Sequence, residues 1–193
     1  MCPLFFLCRR VLYCKRIDDS HDRRAVQHSE GISLLINAVR SEYGIMITES
    51  DISYGKLGKP YLPEYPRIFF SIAHCSGLAA CLVSDKVCGV DAEALRKVSA
   101  GAVKRVFSQA EKKLISSAPE SDRDIIFTTL WTLKEAYSKA DGRGLAAMGE
   151  AHFLLNGDNI ISDTALYFRR FFLDGYVISV CCSENTDIRL KIV

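Results

Sequence analysis

The sequence predicts an α+β protein made of two similar halves, each a long amphipathic helix followed by paired strands. Three observations carry this. Ile32, Leu35, Ile36, Val39 and Tyr43 recur at intervals of three and four, the spacing that turns one helical face to a core. A longer helical stretch over 126–140 precedes two apolar runs that flank Asp174-Gly175, a strong hairpin signal. And 193 residues with 49% hydrophobic and 25% charged side chains match ordinary globular usage and suffice for a core. No apolar run approaches the ~20 residues of a spanning helix, so no membrane insertion is expected. The net charge of +2 speaks against general nucleic-acid binding.

In chain order, residues 1–13 read as an opening strand and 18–29 as a polar lead-in. Gly44 is a helix stop. Residues 53–66 carry Gly55, Gly58, Pro60, Pro63 and Pro66 and read as a loop. Apolar runs over 78–83 and 87–91, separated by Ser84-Asp85-Lys86, read as a hairpin. Residues 102–116 read as one amphipathic helix with Val103, Val106, Phe107, Ala110 and Leu114 inward. The charged stretch 119–124 reads as a loop. Helix 126–140 ends at Gly142 and Gly144. The halves are assigned to 1–97 and 98–193.

Eight cysteines include no C-x-x-C pair, and the four histidines are scattered, so no zinc site is expected. The short apolar start lacks the features of a secretion signal. The reading is a reduced, cytoplasmic protein whose cysteines serve as small buried hydrophobes.

Three constellations bear chemistry. In Gly89-Val90-Asp91-Ala92-Glu93, the two carboxylates share one side of a strand; the alternatives are a hard-cation site and a solvated strand end. Glu135 and Lys139 are helix neighbours four apart, as substrate-facing groups or an ordinary ion pair. His74, after the apolar run Phe69–Phe70, is either a satisfied core residue or a phosphate contact aided by Lys59. No G-x-x-x-x-G-K-[ST] and no G-x-G-x-x-G occurs.

Taken in order, GKPY (58–61), FFSIAHCSG (69–77), GVDAE (89–93) and FTTLWTLKEAYSKADGRGL (127–145) resemble the Sfp-type 4′-phosphopantetheinyl transferases. The resemblance covers residues 54–145 well and the ends weakly. It implies an α+β fold of two subdomains about a pseudo-twofold axis, with the active site in the cleft between them. It implies Mg²⁺-dependent transfer of phosphopantetheine from coenzyme A to a serine of an apo acyl or peptidyl carrier protein, releasing 3′,5′-ADP. Asp91, Glu93 and Glu135 match the metal ligands, and Glu135 also the general base. Lys139 and Lys134 match phosphate-side lysines. Lys59 and Pro60 match the loop beside the adenine nucleotide, and His74 the 3′-phosphate side. Ser71 and Ala73 stand where asparagine and serine are usual. An arginine of the first long helix is missing near Ile32; Arg23 and Arg24 either substitute for it or match the basic pair that precedes this helix in relatives. An inactive carrier- or coenzyme A-binding module is the alternative reading.

Carrier proteins of this kind are acidic around the modified serine. Arg96, Lys97, Lys104, Arg105, Lys112 and Lys113 could steer one, or simply solvate a helix. A monomer is expected, because two halves already supply both walls of a cleft.

Overall fold

The computed structural model describes residues 10–17, 23–185 and 187–193, with Arg23 and Arg24 described by backbone alone. The first strand, β1, runs Arg10–Arg16, and the first helix, α1, Arg23–Tyr43. Residues 1–9 of the expected opening strand lie outside the described residues. Helix α1 begins within the segment read as a polar lead-in. It stops at Gly44, whose φ of +69° is left-handed and whose N–H donates to the Arg40 carbonyl at 3.0 Å, a common glycine ending.

The loop region contains a small ladder, β2 (Ser53–Tyr54) with β3 (Pro60–Tyr61). Then come β4 (Phe69–Cys75), β5 (Leu78–Ser84) and β6 (Cys88–Ala94). Here the expected hairpin is corrected. β5 pairs with β4 and β1, while β6 pairs with a late strand, β10 (Tyr176–Cys182). The tight turn sits instead at Ser76-Gly77, with Gly77 at φ +81°. The reason is burial: every residue of β5 is buried, so the strand shows no alternation that would reveal its partners.

The expected helix over 102–116 is two helices, α2 (Ala100–Val106) and α3 (Gln109–Ser117). Ser108 restarts the chain: its hydroxyl accepts from the Glu111 N–H at 3.3 Å while Glu111 accepts from the Ser108 N–H at 2.6 Å. That reciprocal capping box was written in the sequence as S-x-x-E. Helix α4 spans Glu120–Asp141, so most of the stretch read as a charged loop is its first turn, with Glu120 and Asp122 on the favourable end of the helix dipole. Short α5 (Leu145–Met148), β7 (Phe153–Asn156), β8 (Asn159–Ser162) and β9 (Tyr167–Leu173) follow, and β11 (Arg189–Ile192) closes the chain. The Asp174-Gly175 hairpin between β9 and β10 is present, both residues at positive φ, as a two-residue turn of this kind requires.

Two main sheets result, ordered β11-β1-β5-β4 and β6-β10-β9. Strand parity stacks them. Val11, Tyr13, Ala79, Cys81 and Val83 meet α1. Leu12, Cys14, Leu78, Ala80 and Leu82 meet Val90, Ala92, Ile178 and Val180 of the second sheet. Helix α4 covers the far side of that sheet, packing Ala136 and Ala140 on Cys181. The order is helix, sheet, sheet, helix. Each sheet borrows a strand across the midpoint of the sequence: β6 joins the second sheet and β11 lies parallel on β1. Cys14, Cys81, Cys88, Cys181 and Cys182 are buried thiols, and Cys2 and Cys8 lie outside the described residues. No helix among the described residues is long and apolar enough to cross a membrane.

Candidate active site

The site begins with the parity of β6. Val90 and Ala92 point between the sheets, so Gly89, Asp91 and Glu93 face α4. Gly89 lets the two elements touch. A Cβ built there would lie 2.0 Å from the Ala136 carbonyl oxygen and 2.8 Å from the Ala140 nitrogen, closer than atoms can approach. Only glycine lets the strand meet the helix backbone, and that approach brings the two acidic residues beside Glu135 and Lys139.

Asp91 Oδ1 accepts from Lys139 Nζ at 2.9 Å. Asp91 is 7% exposed, and its other oxygen, Oδ2, is buried without a hydrogen-bond partner. The Ala92 N–H adds a weaker favourable interaction to the carboxylate. Glu93 accepts from Arg96 at 3.1 Å, and the Arg96 guanidinium lies over the Trp131 ring, 5.2 Å from its centroid. Glu135 is half-buried on α4.

All three carboxyl groups are pushed above the ordinary range. Burial is the largest cause in each; for Glu93 and Glu135 the negative charge of Asp91 comes next, and Lys139 and Arg96 oppose the rise. Among the described residues, no three His, Cys, Asp or Glu side chains form a group that could hold a metal as they stand.

Beside them opens a cleft of about 470 Å³, lined by Leu57–Pro60, Phe70–Ile72 of β4, and Glu135, Ser138 and Lys139 of α4. It lies between β4, at the edge of the first sheet, and the C-terminal half of α4. The seam of β4 with β6 is stitched by the buried Ser71 hydroxyl, which accepts from the Val90 N–H at 3.0 Å. Lys59 enters the cleft wall and donates to the Ala140 carbonyl, in the last turn of α4; burial lowers its pKa. Pro60 lines the same wall.

His74 is exposed on β4. Its pKa is lowered, first by desolvation and then by the charges of Lys139 and His28, which places it in the same field as the carboxylate cluster. Ala73 is 1% exposed and packs between the sheets, so its side chain does not reach the cleft. The side chain of Arg24 lies outside the described residues.

Lys134 departs from expectation. It is fully buried on the opposite side of α4, 3.1 Å from Glu111 and donating to the Ala151 carbonyl at 2.6 Å. Helical spacing is the reason: five residues turn a side chain about 140°, so Lys134 and Lys139 cannot share a face. Lys134 belongs to the C-terminal core, with Phe107 and Phe153 around its ammonium. Sequence reading also missed Arg96 as the partner of Glu93, although the two lie three apart, and Ser71 as the seam between sheets.

The sequence model of the 4′-phosphopantetheinyl transferase superfamily matches residues 87–184. The chain is 25% identical over 179 residues to the 4′-phosphopantetheinyl transferase Sfp of Bacillus subtilis (strain 168), an alignment covering 89% of this chain and 79% of that protein. It is 32% identical over 141 residues to the 4′-phosphopantetheinyl transferase HetI of Nostoc sp., covering 70% and 58% respectively. It is 31% identical over 148 residues to the L-aminoadipate-semialdehyde dehydrogenase-phosphopantetheinyl transferase of Eremothecium gossypii, covering 66% and 54%. The matched segment takes in just over half of the chain, including β6, α4 and β10, and by that match the chain belongs to the 4′-phosphopantetheinyl transferase superfamily.

Proposed function

We propose that the chain transfers the 4′-phosphopantetheine group of coenzyme A to a serine hydroxyl of an apo acyl or peptidyl carrier protein, releasing 3′,5′-ADP. The observation that carries this is the grouping of Asp91 and Glu93 with Glu135 and Lys139, the latter two lining a cleft whose other wall holds Lys59 and Pro60.

The donor set suits Mg²⁺. Asp91 Oδ2 is a buried acceptor without a partner, and three carboxylates crowd one another. Mg²⁺ keeps several waters and takes one or two carboxylates plus substrate phosphate, so a closed protein cage is not required. Asp91, Glu93 and Glu135 would hold it, and when bound it would supply neutralising charge along the pyrophosphate.

The remaining work falls to side chains. Glu135, on the cleft wall, accepts the proton of the attacking serine, a role that needs hydrogen-bond reach to that hydroxyl. Lys139 offers positive charge to the phosphate oxygens. Lys59 and Pro60 border the adenine nucleotide, and His74, beside His28, faces the 3′-phosphate. Lys104, Arg105 and Lys113 are exposed on α2 and α3, near the exposed Leu95 and Val98. This is a basic surface with apolar contacts, and it suits an acidic carrier helix. The chain acts as a cytoplasmic monomer, since its own two halves line the cleft.

The test is intact mass spectrometry of an apo carrier protein incubated with the chain, coenzyme A and Mg²⁺. A gain of one phosphopantetheine, abolished by EDTA, is expected. No gain with carriers from several pathways would overturn the reading.

A further inference from the structure

The carboxylate cluster carries its own cations. Lys139 sits 2.9 Å from Asp91 and Arg96 3.1 Å from Glu93, so each acidic residue of β6 is paired within the protein. Among the described residues, the Glu135 side chain forms no ion pair or hydrogen bond. Asp91 retains one buried oxygen without a partner, which shows that Lys139 neutralises the carboxylate without satisfying it. A single ammonium reaches one oxygen here; a hard divalent cation draws on several oxygens at once.

We propose that Lys139 and Arg96 are resident counter-ions that a divalent cation displaces from Asp91 and Glu93. The proposal rests on the metal-dependent reading above. Displacement frees both side chains at the moment the metal arrives. Lys139, on the cleft wall, becomes available to phosphate oxygens. Arg96 keeps its place over Trp131 at the start of the basic segment that leads into α2. Metal loading thereby converts two internal ion pairs into two cations available to substrate and partner. Arg96 is then a positioning residue: it sets how readily the metal enters, and need not touch the reacting atoms.

The experiment is Mn²⁺ binding to the 193-residue chain without substrate, read from the free-ion electron paramagnetic resonance signal. The variants are Arg96→Met, Arg96→Lys and Lys139→Met. Arg123→Met, an exposed cation at the far end of α4, controls for net charge. Arg96 and Lys139 are 40% and 32% exposed, so each removed competitor is worth what a partly solvated ion pair is worth. Mn²⁺ is expected to bind about two- to fivefold more tightly to Arg96→Met and to Lys139→Met. Arg96→Lys and Arg123→Met are expected to bind like the parent, and a melting curve for each variant checks the fold. Equal or weaker binding by the two Met variants, with the parent binding normally, overturns the displacement and leaves the metal reading intact. Tightening by Arg123→Met of the same size overturns it as a generic charge effect. No Mn²⁺ binding by parent or variants overturns the metal reading and the displacement together.

Discussion

At the scale of single residues, Glu135 is half-buried, has two acidic neighbours and forms no ion pair among the described residues. Replacing it with Gln preserves shape and removes the base. Transfer is expected to fall at least about a hundredfold in kcat, with carrier binding retained in a pull-down; unchanged turnover would reassign the base. The raised pKa of Glu135 has a sign. The base works ionised, so rate rises with pH through that pKa; a bound cation favours the ionised carboxylate, so the ascending limb of the pH–rate profile is expected to move to lower pH as Mg²⁺ is raised. A limb indifferent to Mg²⁺ would separate the base from the metal. Much of this site was legible in residue spacing alone: D-x-E on a strand and E-x-x-x-K on a helix each define a shared side. Lys134 matches a motif lysine, yet the same helical geometry turns it away from Lys139 and into the C-terminal core. Ala73 was placed near the ligand by position in a motif, but strand parity sends it inward, between the sheets.

At the scale of elements, β6 and α4 behave as one unit because Gly89 lets their backbones touch. Gly89→Ala is expected to lower the melting temperature and weaken Mn²⁺ binding together, since β6 must move away from α4 and take both carboxylates with it. A variant with parental melting and metal binding would show that the contact yields freely. The Glu111–Lys134 pair tests another element. Lys134→Met leaves a fully buried carboxylate uncompensated, a loss of about 3–5 kcal/mol. Adding Glu111→Gln, which removes the charge but keeps an acceptor oxygen for the N–H groups of Ser108 and Phe153, is expected to recover part of that stability in urea titrations. If Lys134→Met instead unfolds like the parent but loses coenzyme A affinity, the lysine serves the ligand after all. Helix ends were readable, as at Gly44 and Gly142, because αL glycine is a local signal. The pairing of β5 was not, because a strand buried on both sides carries no pattern that distinguishes one neighbour from another. The break between α2 and α3 lay in a capping box that was outweighed by continuous apolar spacing.

At the scale of the whole molecule, the basic surface of α2 and the clasp of β11 make separate demands. Reversing charge with Lys104→Glu and Arg105→Glu is expected to raise the carrier KM severalfold at low salt, with little effect on kcat. A KM indifferent to salt and to the substitutions would move the partner elsewhere. The clasp centres on Glu42, which accepts from Tyr13 at 2.6 Å and from Lys191 at 2.6 Å. Despite burial, these partners hold its carboxyl below the usual range. It therefore stabilises the fold above its unfolded pKa and loses that contribution as pH falls. Glu42→Gln is expected to flatten the acid limb of stability against pH. The α+β class could be read from the helix-and-strand order, yet the exchange of β6 and β11 could not, because long-range pairing leaves no local trace.

That exchange also bears on how the chain is made. β1 is flanked by β5, which follows it within about one domain's length, and by β11, which lies near residue 190. A nascent chain carrying only the first half would present one open edge on β1 and would leave β6 without β10. Neither sheet can close until residues 176–192 have left the ribosome. Completion therefore waits on strands far from their partners in sequence, and a stall before that point would expose strand edges to pairing with neighbouring chains.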